Sequence, residues 1–239
     1  MTFDEARRHL QGIPHLGDTQ AWELYQFIQR ERPRSCLELG HAHGVSSTYI
    51  AAALDDLGGH LDTVDLLSAA ERKPNLETLL AKTGLGHRVT IHREVNSYTW
   101  FLKKKIASQS AAGKCEPCYD FCFIDGAKNW TMDGLAFFLV DKLLQANGWL
   151  LFDDYSFTYE KYLKRREVMD GITIRQLGPD ERSEPHVKQI YDLLVRQHPS
   201  YSNFILQDEC WAWAQKTSNG SREVITNRPI GKSLDSPSP

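Results

Sequence analysis

Two apolar runs in this chain end in acids. Ile124-Asp125-Gly126-Ala127-Lys128 and Leu150-Leu151-Phe152-Asp153-Asp154 bring three carboxylates and a lysine into one short region. Each run has the composition of a strand buried on both faces. Between them, Met132 to Gln145 is about one helix of chain, as in a βαβ unit. Neighbouring parallel strands would carry Asp125, Asp153 and Asp154 to the C-terminal edge of one sheet, where open α/β sheets bind ligands. Clustered carboxylates repel one another unless something positive sits among them. A hard divalent cation such as Mg²⁺, with its preference for oxygen ligands, does this. Taken singly, Asp125 reads equally as a hydrogen-bond acceptor for backbone or a ligand, and Asp153-Asp154 as a helix or turn cap.

The elements that must position these acids follow from periodicity and punctuation. Thr19 to Arg32 reads as a helix capped by Thr19 and stopped by Pro33. A strand at Ser35 to Leu39, a glycine loop and a helix from Ser46 to Leu57 come next. A second strand, Leu61 to Val64, runs into Asp65, and a helix from Lys73 to Thr83 closes at Gly84. Val89 to His92, Tyr119 to Ile124 and Trp149 to Phe152 are the next strands, with helices over Tyr98 to Ile106 and Met132 to Gln145. Glu184 to Gln197 reads as a last helix, and Asn203 to Gln207 with Trp211 to Gln215 as an antiparallel hairpin turning at Asp208-Glu209. Strands alternating with helices predict an α/β fold: a Rossmann-like, doubly wound, mostly parallel seven-stranded sheet closed by a C-terminal antiparallel hairpin. Residues 1–18 form an N-terminal cap and residues 155–183 an insertion or lid beyond the acidic pair. Residues 218–239 are a polar tail expected to be disordered.

The glycine loop is Glu38-Leu39-Gly40-His41-Ala42-His43-Gly44-Val45-Ser46-Ser47. Gly40 permits the sharp turn out of the strand, and Gly44 is expected to let backbone approach a ligand. Ser46 and the free N–H groups of the following helix suit a carboxylate. Asp65, ending the next strand, suits ribose hydroxyls. A dinucleotide-binding loop would need G-x-G-x-x-G, but Ala42 and Val45 stand where the second and third glycines belong, and no Gly-Lys-Ser/Thr of a P-loop is present.

The pattern Glu-Leu-Gly-x-x-x-Gly-x-Ser is similar to the first motif of class I S-adenosylmethionine methyltransferases. From Gly17-Asp18 through Asp154 the chain resembles catechol O-methyltransferase and its metal-dependent relatives. The resemblance implies one methyltransferase domain over residues 1–217. It places Glu38, Gly40, Gly44 and Ser46 around the methionine part of S-adenosylmethionine, Asp65 at the ribose, and Asn96 and Ser97 near the adenine. It makes Asp125, beside the cofactor, a Mg²⁺ ligand with Asp153 and Asp154. In the pattern Asp-x-x-Lys it makes Lys128 the general base, which needs a neighbouring cation to lower its pKa; its plain alternative is a salt bridge to Asp125. Two departures stand out. Catechol enzymes carry Asp-Asn where this chain has Asp153-Asp154, a doublet similar to the macrocin-type enzymes that methylate sugar hydroxyls. Those enzymes carry Asp-Gly-Asp, where this chain has Ala127 in the third position.

Composition narrows the partners. The net charge of −3 gives no reason to expect nucleic acid. No apolar stretch approaches the roughly 18 residues of a membrane span, and Met1-Thr2-Phe3-Asp4-Glu5 lacks the order of a signal peptide. Five irregularly spaced cysteines make no disulfide framework, so a cytoplasmic enzyme is expected. Cys115-x-x-Cys118 is discounted as a zinc site for want of further ligands. His41 and His43 are read as local hydrogen-bonding groups or as contacts to cofactor or acceptor, and Lys103 to Lys105 as a solvated helix face. Trp130, Trp211 and Trp213 are candidates to line an aromatic acceptor pocket, with core packing the expected role of the two in the hairpin. The expected function is Mg²⁺-dependent methylation of a hydroxyl on a small molecule, catechol-like or sugar-like, with homo-oligomerisation left open. The alternatives are a metal-independent N- or O-methyltransferase and a binding protein that holds S-adenosylmethionine without turnover.

Overall fold

The computed structural model describes residues 1–163, 177–217 and 224–225. Its apolar runs become strands because both faces of each are covered. These are β1 (Ser35–Leu39), β2 (His60–Leu66), β3 (Val89–Glu94), β4 (Tyr119–Ile124), β5 (Leu144–Phe152), β6 (Tyr201–Gln207) and β7 (Trp211–Lys216). Across the sheet the order is β3-β2-β1-β4-β5-β7-β6, with Val224–Ile225 pairing in parallel at the β6 edge. The five strands from β3 to β5 are parallel, and β7 runs antiparallel to both neighbours. The two-residue pairing at Val224–Ile225 lies in the expected tail; the remaining tail residues and residues 164–176 of the expected lid lie outside the described residues.

Helices cover both faces. α1 (Phe3–Leu10), α2 (Asp18–Glu31), α3 (Val45–Asp55) and α4 (Leu76–Thr83) share one cluster with Phe121, Phe123, Leu151 and Trp213. α5 (Tyr98–Gln109), α6 (Trp130–Leu143) and α7 (His186–Ile190, continued by a π turn Tyr191–Val195) share the other with Leu37, Leu39, Ile124 and Phe152. Because side chains alternate along a strand, Cys36 and Glu38 face α3 while Leu37 and Leu39 face the opposite layer. α3, inner on its face, is buried at all but its last position.

Local chemistry sets the ends. α2 begins at Asp18 after Gly17 rather than at a Thr19 cap, and Arg32 closes it in the left-handed region by donating its amide to Ile28 O at 2.9 Å. α4 starts three residues later than Lys73 because the Asn75 side chain takes the Thr78 amide at 3.0 Å. α6 starts earlier than Met132 because the Asn129 side chain takes the amides of Thr131 and Met132. The segment Met1 to Leu16, which carries no motif, opens as α1 with a Thr2/Glu5 capping box. Its Phe3 stacks on Tyr49 of α3 at 5.1 Å. Among the described residues no helix is long and apolar enough to cross a membrane.

The register levels the ends of the central strands: Leu39 lies opposite Val64 and Ile124, and Ile124 opposite Phe152. The ladder then runs one residue further. The amides of Gly40, Asp125 and Asp153 donate to Val64 O (2.8 Å), Leu39 O (2.9 Å) and Ile124 O (3.1 Å). The first residue of each loop is therefore held by a neighbouring strand, at one edge.

Candidate functional site

Both glycines of the loop are explained by packing within the chain. Gly40 has φ +89°, and a side-chain carbon there would overlap the Asp125 carbonyl. Gly44 has φ +93°, and the same atom would press on Leu76 at 2.6 Å. The close approach expected of Gly44 is thus to α4 of its own chain. Ser46 likewise turns inward. Its hydroxyl donates to Glu38 at 2.5 Å, joined by Thr63 at 2.6 Å and by Ser47. Burial pushes the Glu38 carboxyl up to about 7, against the pull of these three hydroxyls. Asp65 straps the loop from the next strand. One of its oxygens accepts the amides of His41 (2.9 Å) and Ala42 (2.8 Å), and the other that of Leu66 (2.6 Å). One acceptor position on the second oxygen remains for a hydroxyl.

His41 is buried against Arg93, which also donates to Glu77 at 2.9 Å. Burial, with Arg93 adding, lowers the imidazole to about 4, so it is neutral. His43 instead contacts Pro74 O at 2.6 Å and lies over the His15 ring. At the β3–α5 junction Asn96 is exposed, whereas Ser97 is buried and its hydroxyl caps α5 through the Thr99 amide at 3.0 Å. The lysine run is not simply a solvated face: Lys105 reaches Asp62 at 3.2 Å, where Tyr119 also donates at 2.6 Å.

The acids gather as the ladder dictates, and Lys128 sits among them. Its ammonium bonds Asp125 and lies 3.2 Å from Asp154. Burial works against this charge, but the pull of Asp125, Asp154 and Asp153 outweighs it and holds the amine protonated well above its ordinary range. Burial raises Asp125 to about 6 against the attraction of Lys128, and raises Asp153 to about 7 with Asp125 adding to it. The loop that carries Lys128 is clamped on three sides. Tyr98 donates to Asp133 and accepts the Ala127 amide at 3.1 Å, Asp133 takes the Asn129 amide at 3.1 Å, and Tyr159 donates to Ala127 O at 2.6 Å. Lys128 and Asp154 hold φ of +53° and +57°, a conformation non-glycine residues adopt only when their surroundings impose it.

Two contacts at this edge escaped sequence reasoning. Trp211 is buried as expected of core, yet its indole N–H also donates to Asp153 at 2.7 Å. Cys210, in the β6–β7 turn, places its sulfur 3.6 Å from the same oxygen. Burial, with Asp153 and Asp154 adding, pushes its thiol up to about 12. Nothing in spacing relates Cys210 to Asp153; the only available signal was the hairpin turn at Asp208-Glu209. Among the described residues, the donor atoms that converge within 4.8 Å of one another belong to Asp153, Asp154 and Cys210; Asp125 is not among them, and Lys128 pairs with both Asp125 and Asp154. That set does not fit the all-oxygen Mg²⁺ triad expected from the sequence. A cleft of about 650 Å³ lies elsewhere, between α1, the start of α2 and the start of α3, and Asp125, Asp153 and Asp154 do not line it.

Comparison with known proteins returns one family and one fold. Residues 37–155 match the family model described as a methyltransferase domain. No protein with a curated function matches the sequence. The O-methyltransferase TomG of Streptomyces achromogenes, involved in tomaymycin synthesis and solved with S-adenosylmethionine, is 20% identical with a TM-score of 0.59, over 90% of this chain and 89% of that one. An O-methyltransferase of Bacillus cereus solved with S-adenosylhomocysteine is 19% identical with a TM-score of 0.60, over 90% of both chains. The S-adenosylhomocysteine-bound methyltransferase PaMTH1 of Podospora anserina is 16% identical with a TM-score of 0.61, over 90% of this chain and 86% of that one.

Proposed function

From the premise that this chain is a class I S-adenosylmethionine-dependent methyltransferase, with its methyltransferase domain over residues 37–155, we propose that it methylates a hydroxyl of a small molecule with help from a divalent cation. The observation that carries the reading is the shared edge. Gly40, Asp125 and Asp153 are each bonded to a neighbouring strand, so a cofactor on the glycine loop and an acceptor beside the acids would face one crevice. Asp65 would offer its free acceptor position to the ribose. Glu38, Gly40, Gly44 and Ser46 would keep the loop in shape beneath the methionine part, and Asn96 and Ser97 would border the adenine.

The methyl group passes from the sulfonium to the acceptor oxygen. Sulfur keeps the electron pair of the broken bond and leaves as the neutral thioether of S-adenosylhomocysteine, while the hydroxyl proton goes to water. Lys128 enters as a cation facing the developing oxyanion. A role as base would require it first to surrender the proton that Asp125 and Asp154 hold on it. Asp153 and Asp154 would hold a divalent cation, which would supply further stabilisation of the oxygen anion. Residues 155–163 would border the acceptor, since Tyr159 already touches the Lys128 loop. The free thiols of all five cysteines suit the cytoplasmic setting expected from the sequence.

A second reading has a specific observation in its favour: the Lys128 ammonium already neutralises Asp125 and Asp154, as a metal-free transferase would need. The two separate on one measurement. Purified protein with S-adenosylmethionine and a panel of catechol and sugar acceptors should yield S-adenosylhomocysteine and an O-methylated product. Exhaustive chelation should suppress turnover, and a divalent cation should restore it. Full turnover after chelation would favour the metal-free enzyme, and no turnover with any acceptor the non-catalytic binder.

A further inference from the structure

The Cys210 sulfur is built into the acidic edge rather than passing near it. Its amide donates to Gln207 O at 2.9 Å, and its carbonyl accepts the Tyr155 amide at 2.8 Å. The β6–β7 turn is thereby tied to the residue that follows the acidic pair. The sulfur itself accepts from the Gln20 side chain at 3.1 Å. The neighbouring carboxylate is fixed as well, since Trp211 donates to the same Asp153 oxygen that the thiol faces. Hydrogen bonds of this kind, from surrounding residues onto the ligating atoms, are what orient donors in metal sites.

The spacing suits one ion. Bond lengths of about 2.3 Å to sulfur and 2.0–2.2 Å to oxygen put two donors of a tetrahedral ion about 3.6 Å apart. Sulfur and Asp153 oxygen stand 3.6 Å apart here. Donor atoms of Asp153, Asp154 and Cys210 all fall within 4.8 Å of one another. The expected third oxygen ligand, Asp125, falls outside this group; the Lys128 ammonium that bonds it also lies 3.2 Å from Asp154, so an ion bound here takes over that ion pair.

We propose that Asp153, Asp154 and Cys210 form a thiolate-containing metal site that takes a borderline divalent cation of the Zn²⁺ or Co²⁺ type in preference to Mg²⁺. The chemistry is that of the donors. Mg²⁺ demands near-octahedral oxygen and gains little from sulfur, whereas thiolate ligation favours Zn²⁺ and its neighbours. On binding, the thiol proton is released to solvent, and the ion takes the place of the hydrogen bond between sulfur and Asp153. The consequence for turnover rests on the methyl-transfer reading: a Zn²⁺-type ion held here would occupy the cation position beside the acceptor.

The test uses the full chain with Co²⁺ as a spectroscopic probe, without S-adenosylmethionine or acceptor. One equivalent should produce a thiolate-to-cobalt charge-transfer band that Zn²⁺ displaces and excess Mg²⁺ does not. Cys210→Ser should abolish the band and weaken Co²⁺ binding by at least the roughly 10–100-fold that loss of an outer partner alone costs. The double variant Cys115→Ser/Cys118→Ser should keep the band, and calorimetry with S-adenosylhomocysteine on each variant serves as an independent readout. The proposal is overturned if the native chain gives no band, if the band survives Cys210→Ser, or if it vanishes only in the double variant. S-adenosylhomocysteine binding without a band would sink this site and leave the methyltransferase reading standing. A band without S-adenosylhomocysteine binding would do the reverse.

Discussion

The glycine loop and the acidic edge lie side by side at the ends of the same strands and handle polar groups in opposite ways. In the loop, neutral partners satisfy the acids. Three hydroxyls surround Glu38, and three amides meet Asp65. At the edge, Asp125, Asp153 and Asp154 crowd together with one ammonium among them. The loop is preorganised by its own backbone, while the edge is an electrostatic trap whose shape depends on the cation in it. A cofactor that adds few charges to the loop can dock without rearranging it. A metal ion or a reacting oxygen at the edge must compete with Lys128.

The sharpest break of this contrast is the removal of that ammonium. Lys128→Met should lower the single-turnover rate by about 10²–10⁴-fold, the range of a lost proton-transfer or oxyanion-stabilising group. S-adenosylhomocysteine affinity should barely change. Lys128→Arg, which keeps the charge and cannot serve as a base, should recover most of the loss. A Lys128→Arg enzyme as slow as Lys128→Met would return Lys128 to the role of base.

On the loop side, Gly40→Ala sets a side-chain carbon against the Asp125 carbonyl in a left-handed conformation. Strain and overpacking together should cost about 2–5 kcal/mol of stability, read from urea denaturation. Because Gly40 abuts Asp125, the edge should suffer too. A variant of native stability would show that the two regions are less rigidly joined than the ladder implies.

Glu38 distinguishes the regions by pH. Its carboxyl is raised from 4.5 to about 7, so the folded chain keeps a proton that the unfolded chain releases. The sign follows: this contribution is full below about 4.5 and is lost as pH rises through about 7, by up to about 3 kcal/mol. Glu38→Gln, still able to meet the three hydroxyls, should flatten that slope in urea midpoints measured across the interval. An unchanged slope would mean that the hydroxyls alone keep Glu38 ionised.

The smallest effect is expected at Asp65. Asp65→Ala removes a loop strap and one acceptor for the ribose, and should weaken S-adenosylhomocysteine binding by about 1–3 kcal/mol in calorimetry. Co²⁺ binding at the edge should be untouched. Loss of both together would show that the loop and the edge form one cooperative unit.

The sequence by itself determined the parts of this protein that obey local rules. Alternation of apolar runs with helical periods specified a parallel sheet, and such a sheet delivers the residues after Leu39, Val64, Ile124 and Phe152 to one edge, so Gly40, Asp65, Asp125 and Asp153 could be named as neighbours. Turn chemistry marked Gly84 and the Asp208-Glu209 hairpin. Only the tertiary structure decided which groups face one another across that edge. Ser46 meets Glu38 because side chains of β1 alternate toward α3. Gly44 meets Leu76 because α4 folds over the loop. Lys128 is captured by Asp154 as well as Asp125, and Cys210 arrives beside Asp153 because β7 pairs with β5. A period of 2 or 3.6 residues encodes which face a side chain takes on its own element. It carries no record of the loop closure and strand pairing that bring a turn 57 residues away in sequence against an aspartate, and electrostatics at a buried edge depend on that last few ångströms of approach.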